Sequence, residues 1–183
     1  MRSRIIRGWR IRPIFLLLAL LPGFAFLAGC GSDGSTVTGL DMEDLVGTYS
    51  LIGLSFDPQG ALPEADILAA MGTSPELIVT AGKQAQIVYQ DPISGFFTTI
   101  SATTKTTKTA LRVDFAGNSV YADLLLSRTM DLTFSEASRT LSFDAESPDG
   151  VRRQKLTRLI QAWAGEQLFD PVPGRLRVTF ERK

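Results

Sequence analysis

Apolar and polar residues alternate through much of the chain after about residue 41. In the run 130–135, for example, Met130, Leu132 and Phe134 alternate with polar residues. Successive side chains of a β-strand point to opposite faces, so this pattern predicts strands with one face on a core and the other in water. Strands are predicted at the following ranges: 46–56, 76–81, 84–90, 96–103, 111–115, 120–126, 130–135, 141–145 and 175–181.

Short turn-forming segments separate these runs, among them AGK at 81–83, DPISG at 91–95 and SPDG at 147–150. Strands that follow one another through short connections pair antiparallel, and closing them into a barrel removes exposed sheet edges. The sequence therefore predicts an all-β fold, an antiparallel up-and-down β-barrel of about eight or nine strands. The threonine-rich tract 101–110 is expected to form an extended edge of this sheet.

Two segments depart from the alternation. The segment LPEADILAAMG, 62–72, has apolar residues at helical spacing and Gly72 as a stop signal. Leu156, Leu159, Ile160 and Trp163 lie at the i, i+3, i+4 and i+7 positions of an amphipathic helix. The same region can also be interpreted with VRRQKLTRL, 151–159, as a strand and only the following part helical, and the pattern does not choose between the two. One or two short helices are expected.

The amino-terminal residues have a different character. Residues 1–13 hold five arginines and no acid, and residues 14–27 are almost wholly apolar. A basic start followed by an apolar run is typical of a secretory signal peptide. The run of about fourteen residues is shorter than the roughly twenty that a spanning helix needs, so a cleaved signal is favoured over a permanent transmembrane helix.

The four residues LAGC, 27–30, resemble a bacterial lipobox, in which the cysteine receives a diacylglycerol and becomes the new amino terminus. The alternative is a structural cysteine behind an ordinary signal. The small polar tract that follows, GSDGSTVTG at 31–39, disfavours this alternative because it cannot form a core around a thiol. Cys30 is therefore the predicted lipid-attachment residue, and two or three acyl chains hold a protein on a membrane far better than one.

This resemblance implies a domain organisation and a location. We expect a lipoprotein signal peptide at 1–29, a lipidated flexible tether at 30–40 and one barrel domain at 41–183, with the protein anchored in the cell envelope. By the same resemblance, a residue other than aspartate after the lipidated cysteine, here Gly31, implies transfer to an outer membrane, facing the periplasm, if the cell has two membranes.

Charge and residue usage narrow the possible functions. Removing residues 1–29 takes away five of the 19 basic residues and none of the 19 acidic ones, which leaves 14 against 19, a net charge of about −5. An acidic domain is a poor electrostatic partner for nucleic acid, and none is expected. The chain has no histidine, and its single cysteine is expected to be acylated. Histidine-based catalysis is thereby excluded, and transition-metal sites are disfavoured.

The sequence motifs give little support for a nucleotide site, a calcium site or an enzyme active site. No phosphate-binding or dinucleotide-binding glycine motif occurs. The acidic segment DAESPDG, 144–150, lacks the spacing of a calcium-binding loop and is interpreted as a solvated turn. A hydrolase that uses a pair of carboxylates remains an alternative. We expect a protein that is not an enzyme and that needs neither cofactor nor metal.

The segment DLVGTYSLIGLSFDPQG, 44–60, is similar to the opening of bacterial lipocalin-like domains. Leu45, Gly47, Thr48 and Leu51 match the family pattern, and Tyr49 stands where an indole is usual. The resemblance implies a barrel with a cavity at one end that often holds a small apolar molecule.

Two functions follow from this resemblance. The first is the binding of a small apolar or amphipathic molecule, with Tyr49 and Trp163 as candidate ligand contacts and residues 57–75 as a lid. Buried aromatic residues are more often simply core, however. An eight-stranded barrel has room for its own side chains or for one ligand. The alternative function is therefore an envelope interaction or assembly protein with a solid barrel.

Overall fold

The strands of the computed structural model, which describes residues 39–91 and 94–183, form one antiparallel sheet that closes into a barrel. The strands in chain order are β1 (Gly47–Pro58), β2 (Ala65–Asp66), β3 (Glu76–Thr80), β4 (Gln84–Gln90), β5 (Phe97–Thr106), β6 (Ala110–Phe115), β7 (Thr129–Ser135), β8 (Thr140–Glu146) and β9 (Gly174–Arg182). β1 pairs with β3, every strand from β3 to β8 pairs with the next, and β9 pairs with β1. The predicted all-β up-and-down barrel is confirmed: eight strands form the closed barrel, and the short β2 extends the free edge of β1.

A β-bulge in β1 explains why this strand has an irregular pattern in the sequence. The register with β9 shifts between Leu51 and Gly53. Tyr49 and Leu51 are buried before the bulge, and Leu54 and Phe56 are buried after it. An extra residue in one strand changes which face the later side chains occupy. Inward-facing apolar residues therefore resume one position later than strict alternation would place them.

The barrel interior is filled by its own side chains. Strands β3 to β9 contribute buried residues at alternate positions, and the largest fully buried side chains of the barrel strands include Tyr49, Phe56 and Phe180. The buried apolar residues belong to one continuous cluster. Burial of apolar surface on this scale is the main term that stabilises such a fold.

The helices are short. They are α1 (Met42–Leu45), α2 (Leu68–Met71), α3 (Ser119–Ala122) and α4 (Arg153–Leu159), which is followed by a 3₁₀ turn at Gln161–Trp163. The described part of the chain thus has more short helices than the one or two expected. The helical interpretation of the segment after residue 151 is confirmed. In the segment 62–72, the helix is restricted to the second half, because Ala65 and Asp66 pair with β1.

Two predictions about strands were wrong. Residues 120–126 form part of α3 and a loop instead of a strand, and Leu124, Leu125 and Leu126 are all buried. Three consecutive buried side chains do not fit a strand with one solvent-exposed face, because alternate side chains of such a strand would be exposed. The threonine-rich tract 101–110 is not a sheet edge, because β5 pairs with β4 over 97–103 and with β6 over 102–106.

The two ends of the barrel differ in their connections. At one end, which we call the short-turn end, strands are joined by residues 81–83, 107–109 and 136–139. Gly39 also lies at this end, beside the backbone of Lys108. The other end, the mouth, carries four longer connections, at 59–75, 91–96, 116–128 and 147–173.

The predicted signal peptide and Cys30 lie outside the described residues, as does most of the predicted tether. No helix in the described part of the chain is both long and apolar enough to cross a membrane.

Candidate functional site

A pocket of about 340 Å³ lies at the mouth of the barrel. We call it the mouth pocket, and all four long connections or the strand ends beside them contribute to its walls. Its volume is at the lower end of the range typical of small-molecule sites. It is lined by Met71, Thr73, Tyr89, Asp91, Ala122, Asp123, Leu124, Arg152, Gln154, Lys155, Arg158 and Asp170.

The apolar part of the lining is continuous with the core. Met71, Tyr89 and Leu124 are buried, and all three belong to the apolar cluster that fills the barrel. Met71 ends α2, whose following residue, Gly72, has a φ of 65° and turns the chain away. Residue 71 belongs to the connection predicted as a lid, so that connection does border the pocket.

A phenol and a carboxylate form the acidic side of the mouth pocket. The Tyr89 hydroxyl donates a hydrogen bond to Asp123 Oδ2 over 3.1 Å. Burial, together with the negative charge of Asp123, raises the pKa of Tyr89 to about 12. The phenol therefore keeps its proton at neutral pH and acts as a donor. Asp91, at the end of β4, lies on the same side.

The basic side of the pocket is formed by α4. This helix buries Leu156 in the core and turns Lys155 and Arg158 to the pocket, one helical turn apart. No acidic residue occurs between residues 151 and 165. Basic side chains therefore gather on one wall of the mouth, although the barrel domain as a whole is acidic.

Arg152, just before α4, is already engaged by neighbouring groups. Its guanidinium lies 5.3 Å from the centre of the Tyr121 ring and 3.9 Å from Asp170 Oδ2. Asp170 also accepts a hydrogen bond from the backbone N–H of Arg153. These contacts connect the start of α4 to the end of its own connection, and they hold the basic wall in place.

Exposed aromatic side chains stand beside the pocket. Phe96 and Phe97 are each 76% exposed, and Phe169 is 79% exposed. The backbone N–H of Asp91 donates to the carbonyl of Phe96, and Phe169 precedes Asp170 in the chain. Both aspartates line the pocket, so the three phenyl rings lie on segments that form its rim.

The two aromatic residues predicted as ligand contacts lie in the core. Tyr49 is fully buried, and its hydroxyl donates to the carbonyl of Leu45 over 2.8 Å. Trp163 is 2% exposed. Neither belongs to the described lining of the mouth pocket. Their role as ligand contacts stays a prediction.

The sequence contained a signal for this site that the alternation pattern does not reveal. The segment 151–165 has four basic residues and no acid within a domain that is otherwise rich in acids. Such local charge segregation can be read from the sequence. The partners on the opposite wall, Tyr89 and Asp123, come from distant parts of the chain, and no local pattern joins them.

A second depression lies at the short-turn end. It is wider and more open to solvent, and its walls include Leu40, Lys108, Phe134 and Arg182. It lacks the buried apolar floor of the mouth pocket, apart from the half-buried Leu40 and Phe134. Within residues 39–91 and 94–183, no group of three or more acidic or cysteine side chains is arranged to hold a metal ion.

No protein-family model matches the chain, and no curated protein matches it either.

Proposed function

We propose that the protein is a lipid-anchored lipoprotein of the cell envelope that binds a small amphipathic molecule in the mouth pocket. The observation that carries the binding part is the mouth pocket itself, with its buried apolar floor and charged walls, together with the exposed phenylalanines on the segments beside it. The lipobox pattern at residues 27–30 supports the anchoring part.

The filled interior argues for an amphipathic ligand over a purely apolar one. A wholly apolar guest would need a dry cavity inside the barrel, and the space there is occupied by core side chains. The open space lies instead at the mouth, where charged groups surround it. A ligand with a polar group in the pocket and an apolar part against the exposed rings would satisfy both surfaces.

Direct binding measurements test the pocket. The full mature chain, residues 30–183, would carry Cys30→Ser so that no acyl chain competes with added amphiphiles. Thermal unfolding of this variant checks that it is folded. Calorimetric titration with decyl amphiphiles below their micelle concentration should show saturable binding to one site.

The rim phenylalanines should contribute to this affinity. Replacing two of them together, Phe96→Ser with Phe169→Ser, should weaken binding about tenfold or more, because each buried ring contributes roughly 1.5–3 kcal/mol. The matched control is Ile52→Ser, which removes an exposed apolar side chain on the outer barrel wall. Equal losses in both variants, or no saturable binding at all, would contradict a site at the mouth.

Anchoring needs a separate test in the native cell. Native mass spectrometry of the exported protein should show a chain that begins at residue 30 and carries diacylglycerol and any amide-linked acyl chain. Cys30→Ser should abolish both the processing at residue 30 and the added mass. The same spectrum would report a co-purified small molecule.

The alternative is an envelope interaction or assembly protein with a solid barrel. The filled interior and the exposed Phe96, Phe97 and Phe169 favour it, since such rings also serve as contacts between proteins. The amphiphile titration separates the two functions, because a solid interaction module has no saturable site for a decyl chain.

A further inference from the structure

Opposite charges line the mouth pocket without neutralising one another. The acidic wall carries Asp123, and the basic wall carries Lys155 and Arg158. These groups face one cavity of about 340 Å³. Unpaired charges that share a small cavity are a favourable place for a molecule that carries both signs.

On the acidic wall, Asp123 has a neutral partner. It accepts the hydrogen bond of the Tyr89 hydroxyl, and among the described residues no basic group lies within 4.0 Å of its carboxylate. The phenol is a neutral donor, so it leaves the negative charge in place. Asp123 is half-buried, which reduces the screening of that charge by water.

On the basic wall, Lys155 and Arg158 also lack an oppositely charged partner among the described residues. In the part of the chain that the structure describes, no carboxylate oxygen comes within 4.0 Å of either side chain. The nearby Asp170 is paired with Arg152 and with a backbone N–H of α4. Two positive charges therefore line the same cavity as Asp123.

We propose that the mouth pocket selects amphiphiles with a dipolar headgroup, the ammonium of which lies against Asp123 and the anionic group of which lies against Lys155 and Arg158. This inference rests on the proposed function and specifies its ligand class. A singly charged amphiphile would satisfy one wall and leave the other unpaired, whereas a dipolar headgroup would pair with both.

A matched series of decyl probes tests the charge preference. The series consists of N-decyl-N,N-dimethylglycine, which is dipolar, decanoate, decyltrimethylammonium and decyl maltoside. All carry the same chain, so differences in affinity report the headgroup. The dipolar probe should bind at least about tenfold more tightly than each of the others, because each of the others lacks at least one charge-assisted contact.

Two substitutions assign the preference to the walls of the pocket. Asp123→Asn should abolish the advantage of the dipolar probe over decanoate, because the ammonium loses its partner. Lys155→Gln should reduce its advantage over decyltrimethylammonium. Matched controls on the outer barrel wall are Asp131→Asn on β7 and Lys105→Gln on β5, and neither should change the series. Thermal unfolding of each variant confirms that it is folded.

The outcomes separate this inference from the proposed function. If none of the probes binds, the proposed function fails. If they bind with equal affinity, or if Asp123→Asn leaves the ranking unchanged, the dipolar preference alone is overturned. Glycine betaine, the headgroup without its chain, is an additional probe: binding as tight as that of the decyl form would keep the charge preference and overturn the need for an apolar part.

Discussion

At the scale of single residues, Gly174 shows how closely the first and last strands approach. It begins β9 at the seam with β1. A Cβ at this position would lie 2.6 Å from the Phe56 ring and 2.8 Å from Pro58 Cα. The ring is fully buried and the Cα belongs to a paired strand, so neither can move away freely.

Gly174→Ala should therefore destabilise the barrel by about 1–3 kcal/mol, the usual cost of forcing extra volume into a packed site. Chemical denaturation of the purified protein measures the change in the free energy of unfolding. Gly82→Ala is the control, because a Cβ there meets nothing within 4 Å. Equal stability of the two variants would contradict the close approach.

The residues of the lipocalin-like motif have structural roles in this chain. Leu45 and Leu51 are buried, and the Tyr49 hydroxyl donates to the carbonyl of Leu45. Arg182 donates to the carbonyls of Asp44 and Val46, which ties the start of β1 to the end of β9. The motif therefore predicted where the barrel begins, and it carried little information about the mouth pocket at the opposite end.

At the scale of elements, charged side chains link β8, β9 and the connection between β1 and β2 on the outer wall. Arg177 on β9 pairs with Glu64 over 2.5 Å and with Asp144 on β8 over 3.4 Å. Arg175 pairs with the same Asp144 oxygen over 2.6 Å. A hydrogen bond from Arg175 lowers the pKa of Asp144, and hydrogen bonds from Ser55 and Arg177 lower the pKa of Glu64.

These pKa shifts predict how the stability of the barrel changes in acid. A carboxyl group with a lower pKa in the folded state contributes stability above its unfolded pKa, and this contribution is lost as the pH falls. The denaturation midpoint should therefore fall as the pH drops below 4.5, the ordinary pKa of the Glu64 side chain, and further below 3.8, that of Asp144. Arg177→Gln should make this decline shallower, because it removes one cause of the shift of Glu64.

Denaturant titrations between about pH 3 and pH 6 measure this slope. The carboxylates of Glu64 and Asp144 are about half exposed, so the effect should be modest and should weaken in high salt. Lys105→Gln is the control, since Lys105 makes no ion pair with the described residues. A slope that Arg177→Gln leaves unchanged would contradict a role for this network.

The elements that the sequence predicted well are those whose pattern reflects one buried face. Most strands belong to this group, because alternate burial requires alternate apolar residues. The strand predicted at residues 120–126 does not form, since the three leucines 124–126 are all buried at the end of the barrel and none faces solvent. The sequence of the segment 151–159 is compatible with both a helix and a strand. The packing of Leu156 against the core selects the helix.

At the scale of the whole molecule, the closure of the barrel and the mouth pocket both depend on contacts between distant parts of the chain. The sheet closes because β1 pairs with β9, over a hundred residues later. The pocket requires Tyr89 and Asp123 to meet the wall formed by α4. Local periodicity predicts strands and turns, but it does not specify which loops meet at one end. The fold class could therefore be predicted, and the pocket could not.

The position of residue 39 leads to a prediction about orientation on the membrane. Gly39 lies at the short-turn end, so a lipid anchor at Cys30 would connect to the end opposite the mouth. Nine residues of extended chain span at most about 30 Å. We expect the short-turn end to lie closer to the bilayer on average, with the mouth open to the aqueous side.

Fluorescence quenching can measure this orientation. Once Cys30 is acylated, an introduced cysteine is the sole free thiol, so Glu136→Cys at the short-turn end and Ser94→Cys at the mouth can each be labelled selectively. In vesicles that contain nitroxide lipids, the label at residue 136 should be quenched more strongly than the label at residue 94. Soluble iodide should quench both labels similarly, because both positions are exposed. Equal quenching by the lipids would mean that the tether does not orient the barrel, and reversed quenching would mean that the mouth lies closer to the bilayer than the short-turn end.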